Sequence, residues 1–154
     1  GQPVEEGTSA PPVSEQAANG VKAHILLAED NPVNQKLALI LLHKRGYEVT
    51  VVDNGRKALD AIAATKFDLV LMDVQMPEMS GTDATRELRR REQASHIHLP
   101  VIAMTAHAMK GDAEKFLEAG MDDYIAKPVQ PQLLYASIER VLGQERTTAE
   151  VYAE

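Results

Sequence analysis

Residues 68–73 read D-L-V-L-M-D: four apolar side chains in a row, closed by the carboxylate of Asp73. A run this short and this uniformly apolar predicts a strand buried on both faces. The same pattern recurs on either side. His24–Ala28 (H-I-L-L-A) runs into Glu29 and Asp30, Leu99–Met104 into Thr105, and Met121–Ala126 into Lys127. Glu48–Asp53 is β-branched and breaks at Asn54-Gly55, which reads as turn chemistry. Helical patterns lie between these runs. Val33–Arg45 carries Leu37, Ile40 and Leu41 at helical spacing and stops at Gly46. Arg56–Thr65 follows, with Ala58, Leu59 and Ile62 on one face, and then Thr82–Glu92. Asp112–Ala119 has Asp112 as its expected N-cap and Gly120 as its stop, and Pro131–Leu142 opens on a proline suited to a first turn.

Strands alternating with helices five times in about 120 residues predict an α/β domain with a parallel sheet covered on both faces. Right-handed crossovers make it doubly wound. The 154 residues hold little else. Residues 1–22, with three Pro, three Gly and no Ile, Leu, Phe, Met or aromatic residue, read as a flexible linker, which suggests a domain cut from a longer chain. The folded domain is expected over 23–143 and a C-terminal tail over 144–154, where a continued helix is an option. The net charge of −7 is shared between the linker (−2), the tail (−2) and the domain (−3). That balance argues against holding nucleic acid by its phosphates. The basic run Arg89-Arg90-Arg91 reads as a solvated helix face. With no Cys there is neither a disulfide framework nor a thiolate metal site. No apolar run reaches bilayer length and no signal-peptide pattern opens the chain. A soluble segment of a reducing, cytoplasmic compartment, without membrane contact of its own, is expected.

In open α/β sheets the chemistry sits beyond the carboxyl ends of the strands. Four of the five expected strands end in reactive types: Glu29-Asp30, Asp73, Thr105 and Lys127. Three carboxylates at one sheet edge repel each other, and one lysine offsets only part of that charge. A divalent cation balances the sum, and an all-oxygen donor set calls for a hard one, Mg²⁺ before Mn²⁺. Carboxylate, metal, hydroxyl and ammonium at one point suit phosphoryl transfer onto Asp73 as nucleophile. Taken singly each of these residues has an ordinary structural role, a cap, a turn or a solvated loop; their convergence is what carries the reading.

These residues resemble the receiver domain of two-component response regulators over roughly 23–143. The motifs are A-E-D-N at 28–31, L-M-D-V-Q-M-P-E-M-S-G at 71–81, M-T-A at 104–106 and D-Y-I-A-K-P at 123–128. The resemblance implies a flavodoxin-like sheet of five parallel strands in order 2-1-3-4-5 with five helices. It implies Asp73 as phosphoacceptor and Glu29, Asp30, Asp73 and the backbone carbonyl of Gln75 as Mg²⁺ ligands. Lys127 would contact the phosphoryl group, and Thr105 and Tyr124 would form the switch. Gln75 and His107 match positions that tune the lifetime of the phosphorylated state, and Pro128 matches a proline commonly preceded by a cis peptide. The donor implied is the phosphohistidine of a histidine kinase, with the domain catalysing its own phosphorylation and dephosphorylation.

E-D-N-P-V-N-Q-K at 29–36 and T-A-H-A-M at 105–109 resemble receivers attached to hybrid sensor histidine kinases, whose parent chains can be membrane-anchored. Such receivers exchange phosphoryl groups with a histidine phosphotransfer domain, and the docking surface is expected around Val33, Leu37 and the loop before them, although Leu37 reads more naturally as core. A stand-alone regulator and a non-phosphorylated pseudo-receiver are the alternatives. A haloacid-dehalogenase-type phosphatase is disfavoured, because the position two after Asp73 is Gln75 and not a second Asp. The His43-Lys44-Arg45-Gly46 run, superficially like a phosphotransfer motif, reads as basic residues complementing a helix C-terminus. His96 and His98 lack a third metal ligand nearby and read as an exposed loop.

Overall fold

The computed structural model describes residues 23–106 and 110–153, with side chains described over 23–106 and 111–143. The elements, in order, are β1 (His24–Ala28), α1 (Pro32–Lys44), β2 (Glu48–Val52), α2 (Gly55–Ala64) and β3 (Leu69–Asp73). Then come α3 (Gly81–Ser95), β4 (Val101–Thr105), α4 (Lys110–Ala119), β5 (Asp123–Ala126) and α5 (Pro131–Ala153). The five strands form one parallel sheet in the order β2-β1-β3-β4-β5.

Strand periodicity of two divides the core. Ile25, Leu27, Leu69, Leu71, Ile102 and Met104 face α1 and α5, packing on Leu41, Leu42, Leu134 and Ile138. Their neighbours Leu26, Val70, Met72, Val101 and Ala103 face the opposite way, toward Ala58, Leu59, Ala84, Leu88 and Phe116 of α2, α3 and α4. Because β3 and β4 are buried at every position, their sequences show no alternation.

Several local expectations shift. Asn54 is the N-cap of α2, its Oδ1 accepting the Lys57 N–H at 2.8 Å, so the dipeptide read as a turn begins a helix. Helix α4 starts at Lys110, which places Asp112 inside the first turn. Strands β4 and β5 begin two residues later than expected, at Val101 and Asp123. Helix α5 runs on through most of the stretch set apart as a tail, to Ala153.

The inward stripe of α1 is also corrected. Ala38, Leu41 and Leu42 are buried, whereas Leu37 is 40% and Ile40 56% exposed. Among the basic run, Arg90 and Arg91 are exposed and paired with Glu87, but Arg89 is not a solvated side chain. Its guanidinium donates to the Gly120 and Leu99 carbonyls and pairs with Glu92 and Asp122, tying α3 to the starts of β4 and β5. His96 closes α3 in the left-handed region, and His98 pairs with Asp122, its side chain half in solvent.

Candidate functional site

Strand register assembles the site. Ala28 of β1 lies opposite Met72 of β3, so the next residues, Glu29 and Asp73, emerge side by side at the sheet's carboxyl edge. Asp73 is in turn level with Met104, and Thr105 with Ala126, which brings Thr105 and Lys127 to the same edge. The Lys127 N–H donates to the Thr105 carbonyl at 2.8 Å, and the Lys127–Pro128 peptide is cis. The chain leaves β1 into α1 through Asn31, whose Oδ1 caps the helix by accepting the Val33 and Asn34 N–H groups. It leaves β3 through Val74–Ser80, a loop in which Glu78 takes a left-handed φ of 67°.

Glu29, Asp30, Asp73, Gln75, Thr105 and Lys127 thus line one cleft of about 410 Å³, together with Asn31 and Asn34. Tyr124 lies outside it, half-buried, with its ring 5.9 Å from that of Phe116. Pro128 follows Lys127 at the surface, and His107 lies outside the described residues.

Lys127 Nζ stands 3.0 Å from Glu29 Oε1 and 3.0 Å from Asp73 Oδ2. Burial pushes the Asp73 carboxyl up to about 6; the Lys127 hydrogen bond opposes this and the Glu29 charge adds to it. Burial alone would lower the Lys127 ammonium, but the adjoining Glu29 and Asp73 carboxylates outweigh it and raise the value. One ammonium therefore serves two buried carboxylates, with the exposed Asp30 carboxylate beside them. Oxygens of Glu29, Asp30 and Asp73 all lie within 4.8 Å of one another. Glu29 Oε1 is buried and accepts no hydrogen bond, its approach to Lys127 being an ion-pair contact without hydrogen-bond alignment. Hard oxygen donors and negative charge that one ammonium only partly offsets fit a hard divalent cation.

Asn31, Asn34 and Gln35 belong to the site's surroundings, and the sequence reading gave them no role. Asn31 carried a legible signal, an N-cap type immediately before a proline. Gly81 closes the 71–81 motif, but its physical reason is legible only in the folded chain, where a Cβ would meet the Asp73 backbone.

Comparison with known proteins agrees with this fold. The chain is 47% identical over 137 residues to hybrid signal transduction histidine kinase I of Dictyostelium discoideum, covering 86% of this chain and 8% of that protein. The chain therefore corresponds to a small part of that relative. It is also 41% identical over 119 residues to the polar-differentiation response regulator DivK of Brucella anthropi, covering 77% of this chain and 95% of that one. Among solved structures it superposes on the receiver domain of sensor histidine kinase PA1611 from Pseudomonas aeruginosa, which holds a magnesium ion coordinated in its active-site cleft. The TM-score is 0.72 at 41% identity, covering 80% of this chain and 99% of that one. It likewise superposes on the Saccharomyces cerevisiae receiver domain of Ssk1, crystallised with the histidine phosphotransfer protein Ypd1, with a TM-score of 0.74 at 29% identity, covering 77% and 88%. Residues 25–139, all of the sheet but its first residue and the helices as far as the first part of α5, match the response regulator receiver domain, and the chain belongs to that family of two-component signalling domains.

Proposed function

We propose that this domain accepts a phosphoryl group on Asp73 from a phosphohistidine. An Asp73 oxygen attacks phosphorus, the phosphorus–nitrogen bond breaks and the imidazole leaves with that electron pair, yielding an acyl phosphate. The observation that carries this reading is the cleft itself: a buried aspartate at a strand end, between a second buried carboxylate and a lysine 3.0 Å away. Glu29, Asp30, Asp73 and the Gln75 carbonyl would hold Mg²⁺, which when bound supplies charge neutralisation for the transferring oxygens. Lys127 neutralises a further oxygen, and the Thr105 hydroxyl orients another. Phosphorylation then draws Thr105 inward and turns Tyr124, shifting the population between two states and altering the α4–β5–α5 surface. Gln75 and His107 set how readily water reaches the acyl phosphate.

The donor and acceptor partners are a histidine kinase and a histidine phosphotransfer domain. The yeast receiver crystallised with Ypd1 supports this, as does the match to a hybrid histidine kinase. The docking surface is the outer face of α1, where Val33 is 75% exposed and Leu37 and Ile40 continue the same apolar stripe. A stand-alone regulator is the second reading, favoured by the match to nearly all of DivK. Among the described residues no helix is long and apolar enough to cross a membrane.

Incubation with acetyl phosphate and Mg²⁺, followed by intact-mass measurement, tests the proposal. One added phosphoryl group, absent with EDTA or in Asp73→Ala, is expected. Phosphorylation that survives Asp73→Ala overturns the assignment.

A further inference from the structure

The two carboxylate oxygens of Glu29 have different surroundings. Oε2 accepts the Asn31 N–H at 3.1 Å and the Asn34 side-chain amide at 3.5 Å. Oε1 has no aligned hydrogen-bond donor and lies 3.0 Å from the Lys127 ammonium. The main chain of Glu29 is held as well, with Gln35 Nε2 donating to its carbonyl at 2.5 Å. Three groups, one from the N-cap and two from the start of α1, thus fasten one residue at the end of β1.

Helix formation does not call for two of these contacts. The N-terminal N–H groups of Val33 and Asn34 are already satisfied by Asn31 Oδ1, so the amides of Asn34 and Gln35 cap nothing. Both residues are half-buried and Asn34 lines the cleft, while Val33 and Leu37 face outward. Between them the two amides hold Glu29, Asn34 by its carboxylate and Gln35 by its main chain. A carboxylate can turn about its last bond and exchange its oxygens, and a metal site loses affinity when a ligand must be ordered at the moment of binding.

We infer that Asn34 and Gln35 are positioning residues for the metal site, holding Glu29 so that Oε1 is presented to the cation. This rests on the reading of the cleft as a Mg²⁺ site. The polar side of α1 thereby sets metal affinity, while the apolar side of the same helix faces solvent.

Calorimetric titration of Mg²⁺ alone into the full chain at fixed pH is the test. Asn34→Ala and Gln35→Ala place a good helix former in a helix and keep the fold, which melting in EDTA verifies. Each is expected to raise the Mg²⁺ Kd about tenfold, the low end for loss of a group that orients a metal ligand. The decisive arm repeats Asn34→Ala in a Glu29→Asp background, where the shorter carboxylate withdraws from the Asn34 amide. There the change in Kd is expected to fall below about twofold, the signature of two residues acting through one contact. An unchanged Kd in the single variants, or an equal loss in both backgrounds, overturns the inference. If the wild type takes up neither Mg²⁺ nor a phosphoryl group, the reading of the site fails instead; if it takes up both and the variants match it, only the positioning role fails.

Discussion

A Cβ on Gly81 would stand 2.1 Å from the main-chain carbonyl oxygen of Asp73. The first turn of α3 is therefore seated directly on the end of β3, and the Gly81 N–H donates to the Val74 carbonyl at 2.9 Å in the same contact. Space, not an unusual backbone angle, is what the position requires. Gly81→Ala is expected to part α3 from β3, destabilising the fold by about 1–3 kcal/mol as overpacking does. Because the displaced backbone carries the acceptor, phosphorylation by acetyl phosphate should slow in the same variant. Melting temperature and the rate of mass gain check the two effects; if neither moves, the close approach has no consequence.

Asp73 is a buried carboxylate beside another, and burial makes its ionised form costly. Asp73→Asn removes that charge and leaves Lys127 paired with Glu29. In EDTA at pH 7.5 the variant should melt above the wild type. Saturating Mg²⁺ should raise the wild type, by about 2.7 kcal/mol at a hundredfold excess over Kd, and raise the variant far less. Thermal melts with and without Mg²⁺ decide it. A variant less stable than wild type in EDTA would show that Asp73 is a net structural asset.

Strand ends made the site legible. D-L-V-L-M-D and H-I-L-L-A place carboxylates where a parallel sheet must expose them, so fold and acidic cluster could be read together. The face of α1 could not. Leu37, Ile40 and Leu41 are all apolar, and periodicity has no means of telling a stripe that packs on the sheet from one left outside. Arg89 was misread for a related reason: within Arg89-Arg90-Arg91 only tertiary structure selects the residue that turns toward the carbonyls of Leu99 and Gly120. The Asn34 and Gln35 contacts depend on where α1 crosses the end of β1, which no local pattern records.

Arg89 joins three segments with a side chain only 17% exposed. Arg89→Met would strand two carbonyls and the Glu92 carboxylate, and a loss of roughly 3 kcal/mol is expected from breaking a largely buried pair. Arg89→Lys should recover little of it, since one ammonium cannot reproduce a fork that spans Gly120, Leu99, Glu92 and Asp122. Chemical denaturation of both variants is the check. Full rescue by lysine would show that charge alone matters there.

His98 beside Asp122 gives the fold a pH dependence of definite sign. The Asp122 hydrogen bond raises His98 above its ordinary 6.5, against burial and the Arg89 charge. The folded chain thus binds this proton more tightly than the unfolded one. The stabilisation is complete below about pH 6.5 and is lost as pH rises through the higher folded value. Burial alone would raise Asp122, but the His98 bond, the Val101 N–H and the His98 and Arg89 charges hold it below its ordinary 3.8, so its share is lost only on acidification past that range. Since His98 is more than half exposed, the effect should stay under about 1 kcal/mol. Denaturation between pH 7 and 8.5, above the range in which Asp73 titrates, should show a decline in the wild type that His98→Gln removes; parallel curves would refute the pairing.

Val33, Leu37 and Ile40 lie at helical spacing on the outer face of α1, beside the cleft that α1 borders through Asn31 and Asn34. If a phosphotransfer partner docks there, apolar truncation should separate two reactions that share Asp73. Val33→Ala with Leu37→Ala removes apolar contact area without adding charge near the acidic cluster and without breaking the helix. Transfer from a phosphorylated histidine domain should fall at least tenfold, the equivalent of about 1.4 kcal/mol of lost association. Acetyl phosphate, too small to need a docking surface, should phosphorylate the double variant at the wild-type rate. Parallel kinetics with the two donors give the answer. An equal loss with both donors would mean that the helix had been disturbed, and no loss with either would move the docking surface elsewhere.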